Sequence, residues 1–211
     1  MKILLTTTSF QDTPGLHHNL LNSQNWNIDY LRGPVVESVL LPIIHKYDGV
    51  ICGDDEYTRE VIKAGKEGKL KALSKYGVGL DRIDLEAAKE FGVEVTNVPG
   101  INQISVSEHV LALLFSFSKN IHLQFNSVQA GSWKRAIGYE LQGKTIGIIG
   151  LGAVGKELGK KANALGMNVL AYDIFKDQDF LDKYSDIHFT EDIDDIYAKC
   201  DVISLHLPHT K

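Results

Sequence analysis

The residues most suited to chemistry in this sequence are three closely spaced glycines. Gly150, Gly152 and Gly155 form a Gly-x-Gly-x-x-Gly pattern, and Ala153 and Val154 stand between the last two glycines. The pattern ends the apolar run TIGIIG and opens a stretch of helix-forming residues. In that context the first glycine permits a tight turn, the second lets a pyrophosphate approach the backbone, and the third allows close helix–strand packing. The pattern predicts a phosphate-binding loop at a helix N-terminus, with an ordinary glycine turn as the alternative.

An acidic residue downstream of the glycines strengthens this prediction. Asp173 ends the next apolar run, MNVLAYD, and lies 18 residues after Gly155. A carboxylate at about this distance accepts hydrogen bonds from ribose hydroxyls and repels a 2′-phosphate. The sequence therefore predicts a dinucleotide site that prefers NAD to NADP, although Lys176 lies close enough to soften that preference.

The elements that must position these residues recur along the whole chain. Short apolar runs rich in β-branched residues alternate with helical stretches, which is typical of parallel sheets covered by helices on both faces. Thr58 and Asp84 each stand at the start of a helical stretch that a glycine closes, as expected for capping residues. The predicted strands are KILLTTT, WNIDYL, DGVICG, LKALSKYG, VEVTNV, TIGIIG, MNVLAYD, DIHF and DVISLHL.

Length and helical periodicity predict two domains. At about 150 residues per domain, 211 residues form one large domain or two small ones. Apolar residues recur at three- and four-residue spacing over residues 102–128, which predicts one long helix that bridges the two sets of strands. We therefore expect domains at residues 1–100 and 101–211, with the bridging helix at the start of the second.

Composition narrows the class of protein and its partners. The net charge of −5 argues against a nucleic-acid partner, because such proteins usually carry basic surfaces. No apolar stretch is long enough for a membrane span and the first residues do not form a signal peptide, so we expect a cytoplasmic protein. Cys52 and Cys200 lie in apolar runs and are expected to be buried thiols, and no metal site is predicted.

Four blocks of sequence together resemble the D-isomer-specific 2-hydroxyacid dehydrogenase family over essentially the whole chain. The resemblance implies an α/β protein with a flavodoxin-like substrate domain and a partial Rossmann domain that binds NAD. The blocks are Tyr76–Asp84, Asn97–His109, Gly131–Trp133 with Gly143–Thr145, and Ser204–Pro208.

The resemblance also implies roles for particular residues. Gly77, Val78 and Gly79 would bind the carboxylate of a small 2-hydroxy or 2-oxo acid, with a glycine turn needed only for chain reversal as the alternative. Lys75 would also bind the substrate, as a cation, with Arg135, for the phosphate of a phosphorylated acid. Ser105 would face the cofactor, unless it is an ordinary hydroxyl at a helix start. Three residues at a strand end, His206, Leu207 and Pro208, would also contact the cofactor, and His206 is not expected to be the catalytic base.

In this family the catalytic Arg, Glu and His lie further along the chain than Lys211. We therefore expect no catalytic residue within the sequence given, which would make it a fragment of a longer enzyme or a truncated product that binds part of a cofactor. The resemblance further implies a homodimer that pairs through the bridging helix and the segment around Trp133.

The sequence leaves the substrate open. It looks most like the phosphoglycerate dehydrogenase branch, which catalyses the first step of serine synthesis. Two departures weaken that match: Cys52 stands where some of these enzymes carry Arg, and Arg82 stands where the family usually has Asn. We rank 3-phosphoglycerate first and a glyoxylate, hydroxypyruvate or other 2-oxo acid reductase second. A non-catalytic binding protein gated by NAD(H), like the corepressors that resemble this family, is the alternative from another functional class.

Overall fold

The computed structural model describes residues 1–207 and divides into two compact units, Met1–Pro99 and Gly100–Leu207. The division falls one residue before the one expected from the sequence. Pro208, a predicted cofactor contact, lies outside the described residues.

The first unit is a five-stranded parallel sheet with the strand order β2-β1-β3-β4-β5. This is the order of flavodoxin-like sheets, in which ligands bind beyond the carboxyl ends of the strands where the order reverses. The strands are β1 (Lys2–Leu5), β2 (Asn27–Tyr30), β3 (Gly49–Cys52), β4 (Ala72–Lys75) and β5 (Glu94–Thr96). The helices are α1 (Thr8–Asp12), α2 (Leu16–Asn22), α3 (Glu37–Leu40), a 3-10 helix (Ile44–Lys46), α4 (Arg59–Glu67) and α5 (Leu85–Phe91).

Caps and side-chain alternation explain why these elements form. The side chains of Thr58 and Asp84 accept hydrogen bonds from the first turns of α4 and α5, as the sequence predicts. Successive residues of a strand point to opposite faces of the sheet. Leu4 therefore packs in a large core with α4 and α5, whereas Leu5 packs with α1 and α2.

The second unit begins with two helices and continues as a four-stranded parallel sheet, ordered β8-β7-β6-β9. These strands follow the order of the first four strands of a Rossmann sheet, whose order reverses between β6 and β9. The predicted parallel α/β fold is thus confirmed in both units. The strands are β6 (Thr145–Ile149), β7 (Asn168–Tyr172), β8 (Ile187–Phe189) and β9 (Val202–Leu205). The helices are α6 (Gln103–Ser118), α7 (Ile121–Gln129), α8 (Ala153–Ala164), α9 (Gln178–Lys183) and α10 (Ile193–Lys199).

The prediction of one continuous helix over residues 102–128 is wrong. The helix is interrupted between α6 and α7 at Asn120, whose φ of 53° places it in the left-handed region. Asn tolerates this conformation better than most residues, and its side-chain amide donates to the carbonyl of Ile137 at 2.8 Å. The apolar spacing hides the break because it continues from one helix into the next.

Two further expectations concern exposure. Cys52 is fully buried as predicted, whereas Cys200 is only half-buried. No helix within residues 1–207 is both long enough and apolar enough to cross a membrane.

Candidate functional site

The glycine loop follows β6 at the point where the strand order of the second unit reverses. Gly150 has a φ of +99°, and a Cβ there would lie 2.5 Å from the carbonyl oxygen of His206, which follows β9. A Cβ at Gly155 would overlap the carbonyl oxygen of Gly150. The first and third glycines are therefore required by close contacts within the protein itself.

Gly152 differs from the other two glycines of the loop. A Cβ at Gly152 would meet no protein atom within 4 Å, and its φ of −74° is accessible to any residue. Neither packing nor backbone conformation accounts for a glycine here. The open space beside its backbone fits the approach of a dinucleotide phosphate.

Helix α8 begins directly at this open space. Gly152 is its N-cap and has no side chain to accept from the first turn. The N–H groups of Ala153, Val154 and Gly155 therefore lack the capping side chain that satisfies such groups in many helices. An anionic oxygen at this end of a 12-residue helix would accept from these groups and interact favourably with the helix dipole.

Asp173 follows β7 and contacts the glycine loop. Its carboxylate accepts hydrogen bonds from the backbone N–H of Leu151 at 2.6 Å and of Phe175 at 2.9 Å. Each carboxylate oxygen retains capacity for another hydrogen bond. Asp173 therefore holds the loop as well as offering acceptors beside it, and only the structure reveals the first of these roles.

The residues after β9 lie on the other side of the loop. The backbone N–H of His206 donates to Ile149 at 2.8 Å, and its ring Nε2 lies 2.9 Å from the hydroxyl of Ser204. Burial lowers the pKa of His206 from its ordinary value of 6.5, which favours a neutral imidazole at pH 7. Leu207 remains largely exposed beside Gly150.

The first turns of α6 carry polar groups that the sequence did not single out. Ser107 is fully buried and its hydroxyl accepts from the ammonium of Lys161 on α8 at 2.7 Å. The side-chain oxygen of Gln103 is buried without a hydrogen-bond partner in the described part of the chain. Ser105, the predicted cofactor contact, has an exposed side chain.

In the first unit, the predicted substrate-binding residues follow β4. Lys75 is only 5% exposed, and its ammonium donates to the carbonyl of Gly53 at 2.7 Å and to Asp54 at 2.5 Å. A Cβ at Gly77 would lie 3.3 Å from Cε of this lysine. Lys75 therefore lies alongside the glycine turn but already has two hydrogen-bond acceptors.

The turn itself presents its backbone in a defined way. The carbonyl of Gly77 accepts from the N–H of Val98 at 3.0 Å, and the carbonyl of Val78 accepts from the side chain of Asn97 at 2.7 Å. Within residues 1–207, no acceptor takes the N–H groups of Gly77, Val78 or Gly79. These N–H groups can therefore meet a carboxylate.

Comparisons with known proteins identify the family of this chain. Residues 111–211 match the model of "D-isomer specific 2-hydroxyacid dehydrogenase, NAD binding domain". The chain is 40% identical over 196 residues to D-3-phosphoglycerate dehydrogenase of Archaeoglobus fulgidus, covering 87% of this chain and 36% of that protein. It belongs to the D-isomer-specific 2-hydroxyacid dehydrogenase family. Within this family, residues 111–211 form an NAD-binding domain.

Other members of the family extend the comparison. Hydroxypyruvate reductase of Thermotoga maritima is 38% identical, with 82% of this chain and 55% of that protein covered. The NAD+-bound 3-phosphoglycerate dehydrogenase of Entamoeba histolytica is 30% identical, with a TM-score of 0.76 over all of this chain and 64% of that one. The chain thus spans between about one third and two thirds of the length of these relatives.

Cys52 and Arg82 are the departures from the family resemblance, and the structure shows their surroundings. Cys52 ends β3 with its thiol fully buried, and burial raises its pKa to about 12. The guanidinium of Arg82 donates to Glu56 at 3.1 Å. Neither residue offers an unpaired cation at the carboxyl end of the sheet.

Proposed function

We propose that the whole protein is an NAD-dependent dehydrogenase that transfers a hydride between a D-2-hydroxy acid and NAD. The observation that carries this proposal is a glycine loop with an open second glycine and a neighbouring carboxylate, in a chain of this family. The 40% identity to a D-3-phosphoglycerate dehydrogenase supports 3-phosphoglycerate as the first candidate substrate.

The residues of the second unit would hold the cofactor. The N–H groups at the start of α8 would bind its pyrophosphate, and Asp173 would accept from its ribose hydroxyls. Ser105, His206 and Leu207 would contact the remainder, and Pro208 is proposed on sequence grounds alone. When bound, NAD supplies the ring that exchanges a hydride with the substrate carbon.

The residues of the first unit would hold the substrate. The N–H groups of Gly77, Val78 and Gly79 would donate hydrogen bonds to its carboxylate, and the ammonium of Lys75 would balance its charge. We assign no proton transfer to residues 1–207. Because the ring Nε2 of His206 already lies 2.9 Å from the hydroxyl of Ser204, this histidine is proposed as a cofactor contact rather than a base.

The test is a turnover assay on the full-length protein. We expect NADH oxidation with 3-phosphohydroxypyruvate, hydroxypyruvate, glyoxylate or pyruvate, with the highest kcat/KM for the first of these. Binding of NADH without turnover of any 2-oxo acid would contradict the dehydrogenase proposal. It would favour the non-catalytic alternative if NADH also changed association with a protein partner.

A second candidate is reduction of hydroxypyruvate or glyoxylate. It is favoured by the charges after β3 and β4: Lys75 is paired with Asp54, Arg82 is paired with Glu56, and Cys52 carries no charge. A phosphorylated substrate needs a further cation for its phosphate. A kcat/KM for hydroxypyruvate above that for 3-phosphohydroxypyruvate would select this candidate.

We also propose that the protein is a cytoplasmic homodimer. Large apolar side chains are exposed on α6, on α7 and in the segment that follows, and an exposed set of this kind marks an interaction surface. Light scattering would test the homodimer, and a monomeric mass would overturn it. The exposed residues are Leu113, Phe117, Ile121, Phe125, Val128 and Trp133.

A further inference from the structure

Two consecutive carboxylates follow β3, and they differ sharply in their surroundings. Asp55 is fully buried and accepts from the hydroxyl of Thr6 at 2.5 Å, from the N–H of Val35 at 2.8 Å and from the N–H of Gly53 at 3.1 Å. The side chain of Asp54 is 83% exposed, and its one side-chain partner within the described residues is Lys75.

Lys75 needs an anionic partner because its ammonium is removed from water. Its side chain is 6% exposed, and an unpaired charge at such a depth is strongly unfavourable. Gly53 supplies a carbonyl oxygen, but among the hydrogen-bond acceptors of Lys75 only Asp54 supplies a negative charge. When no substrate is bound, Asp54 therefore balances the charge of the ammonium.

Asp54 can move away from its hydrogen-bond partner more easily than Asp55 can. Moving Asp55 away would leave the N–H groups of Val35 and Gly53 without an acceptor within the described residues. The exposed Asp54 would instead regain full hydration as it moves away. Lys75 also lies alongside Gly77, whose N–H is free to meet a carboxylate. A carboxylate that binds at this turn can therefore replace Asp54 as the partner of Lys75.

We propose that Asp54 is an exchangeable partner of Lys75, which the carboxylate of an anionic substrate displaces when it binds. This inference rests on the proposed function, because it assumes that a 2-oxo acid binds at Gly77–Gly79. Asp54 acts on affinity through Lys75, so it is a positioning residue. It keeps the ammonium oriented in the empty site and lowers the affinity for anions by competing with them.

The experiment measures the binding of oxamate, an unreactive 2-oxo acid analogue with one carboxylate, to the full-length protein saturated with NADH. Calorimetry at constant ionic strength would compare wild type with Asp54→Asn and Asp54→Glu. We expect Asp54→Asn to bind oxamate about two- to fivefold more tightly, the range expected for loss of a competing exposed ion pair. The Asp54→Glu variant retains the charge and is expected to bind within about twofold of wild type.

A matched control removes the same charge from an exposed ion pair elsewhere in the first unit. Glu90 pairs with Arg59 at half-exposed side chains, and Glu90→Gln should leave oxamate binding unchanged. If wild type binds oxamate and Asp54→Asn binds it equally well or more weakly, the exchange of Asp54 is overturned but the proposed substrate site is not. No oxamate binding by wild type or by any variant would overturn the proposed substrate site and the exchange with it.

Discussion

The candidate cofactor site and the candidate substrate site use different chemical groups. In the second unit, the site consists mainly of backbone, with an open glycine, a helix N-terminus and one side-chain carboxylate that holds the loop. In the first unit, the backbone N–H groups of Gly77–Gly79 lie beside a charged side chain, Lys75, which is buried and already paired with Asp54. The spacing of glycines in the sequence is enough to locate a site made of backbone. Whether a charged side chain is free to bind a ligand depends instead on which neighbours the fold places beside it.

The largest expected effect would test the side-chain site. Lys75→Ala removes the buried cation that would face the substrate carboxylate. We expect kcat/KM for the preferred 2-oxo acid to fall about 100-fold, mainly through KM, as is typical when the cation that meets a bound, desolvated carboxylate is truncated. Steady-state kinetics would measure this, with Lys75→Arg as the variant that restores part of the affinity. An unchanged KM would exclude Lys75 from the substrate site.

The backbone site is tested by Gly152→Ala. The added Cβ meets no protein atom, so we expect the melting temperature to stay within about 1 °C of wild type. The same Cβ would obstruct the pyrophosphate, so the Kd for NADH should rise about tenfold or more. As a contrast, Gly155→Ala should lower the melting temperature because its Cβ overlaps the carbonyl of Gly150. Unchanged NADH binding by Gly152→Ala would show that the pyrophosphate does not lie against the backbone of Gly152.

Asp173→Ala tests the one side chain on which the glycine loop of the second unit depends. We expect NADH to bind about tenfold more weakly and the preference over NADPH to narrow, since the ribose acceptor and its charge are lost. Loss of the bond to Leu151 should also reduce the free energy of unfolding by about 1 kcal/mol. Fluorescence titration and urea unfolding would separate the two effects. Full retention of the NADH preference would show that Asp173 does not contact the ribose.

The smallest effect concerns the break between α6 and α7. Asn120 has a positive φ, and Asn120→Ala should reduce the free energy of unfolding by about 1 kcal/mol because Ala disfavours that region. Asn120→Gly should remain within about 0.5 kcal/mol of wild type, since glycine adopts it freely. Urea denaturation would compare them. Equal stability of the two variants would mean that the backbone conformation of Asn120 does not decide where the helix ends.

How far the sequence could be interpreted depended on whether a feature is local. The nine predicted strands all form, and Thr58 and Asp84 cap the helices that follow them, because alternation and capping involve residues close in sequence. The break at Asn120 cannot be predicted from apolar spacing, because that spacing does not depend on the backbone conformation of a single residue. The sequence also does not distinguish a buried polar residue from an exposed one. For that reason it does not predict the roles of Ser107, Gln103 and Asp55.

The order of strands and helices, and the position of a glycine loop followed by an acidic residue, can be read from the sequence without any structure. These features follow from periodicity and from the special backbone freedom of glycine. Two contacts emerge only from the folded structure: Asp173 holds the loop through Leu151, and Lys75 is buried against Asp54. Each contact joins residues more than 20 apart in the sequence, and burial of a charge strengthens its interactions with neighbouring charges.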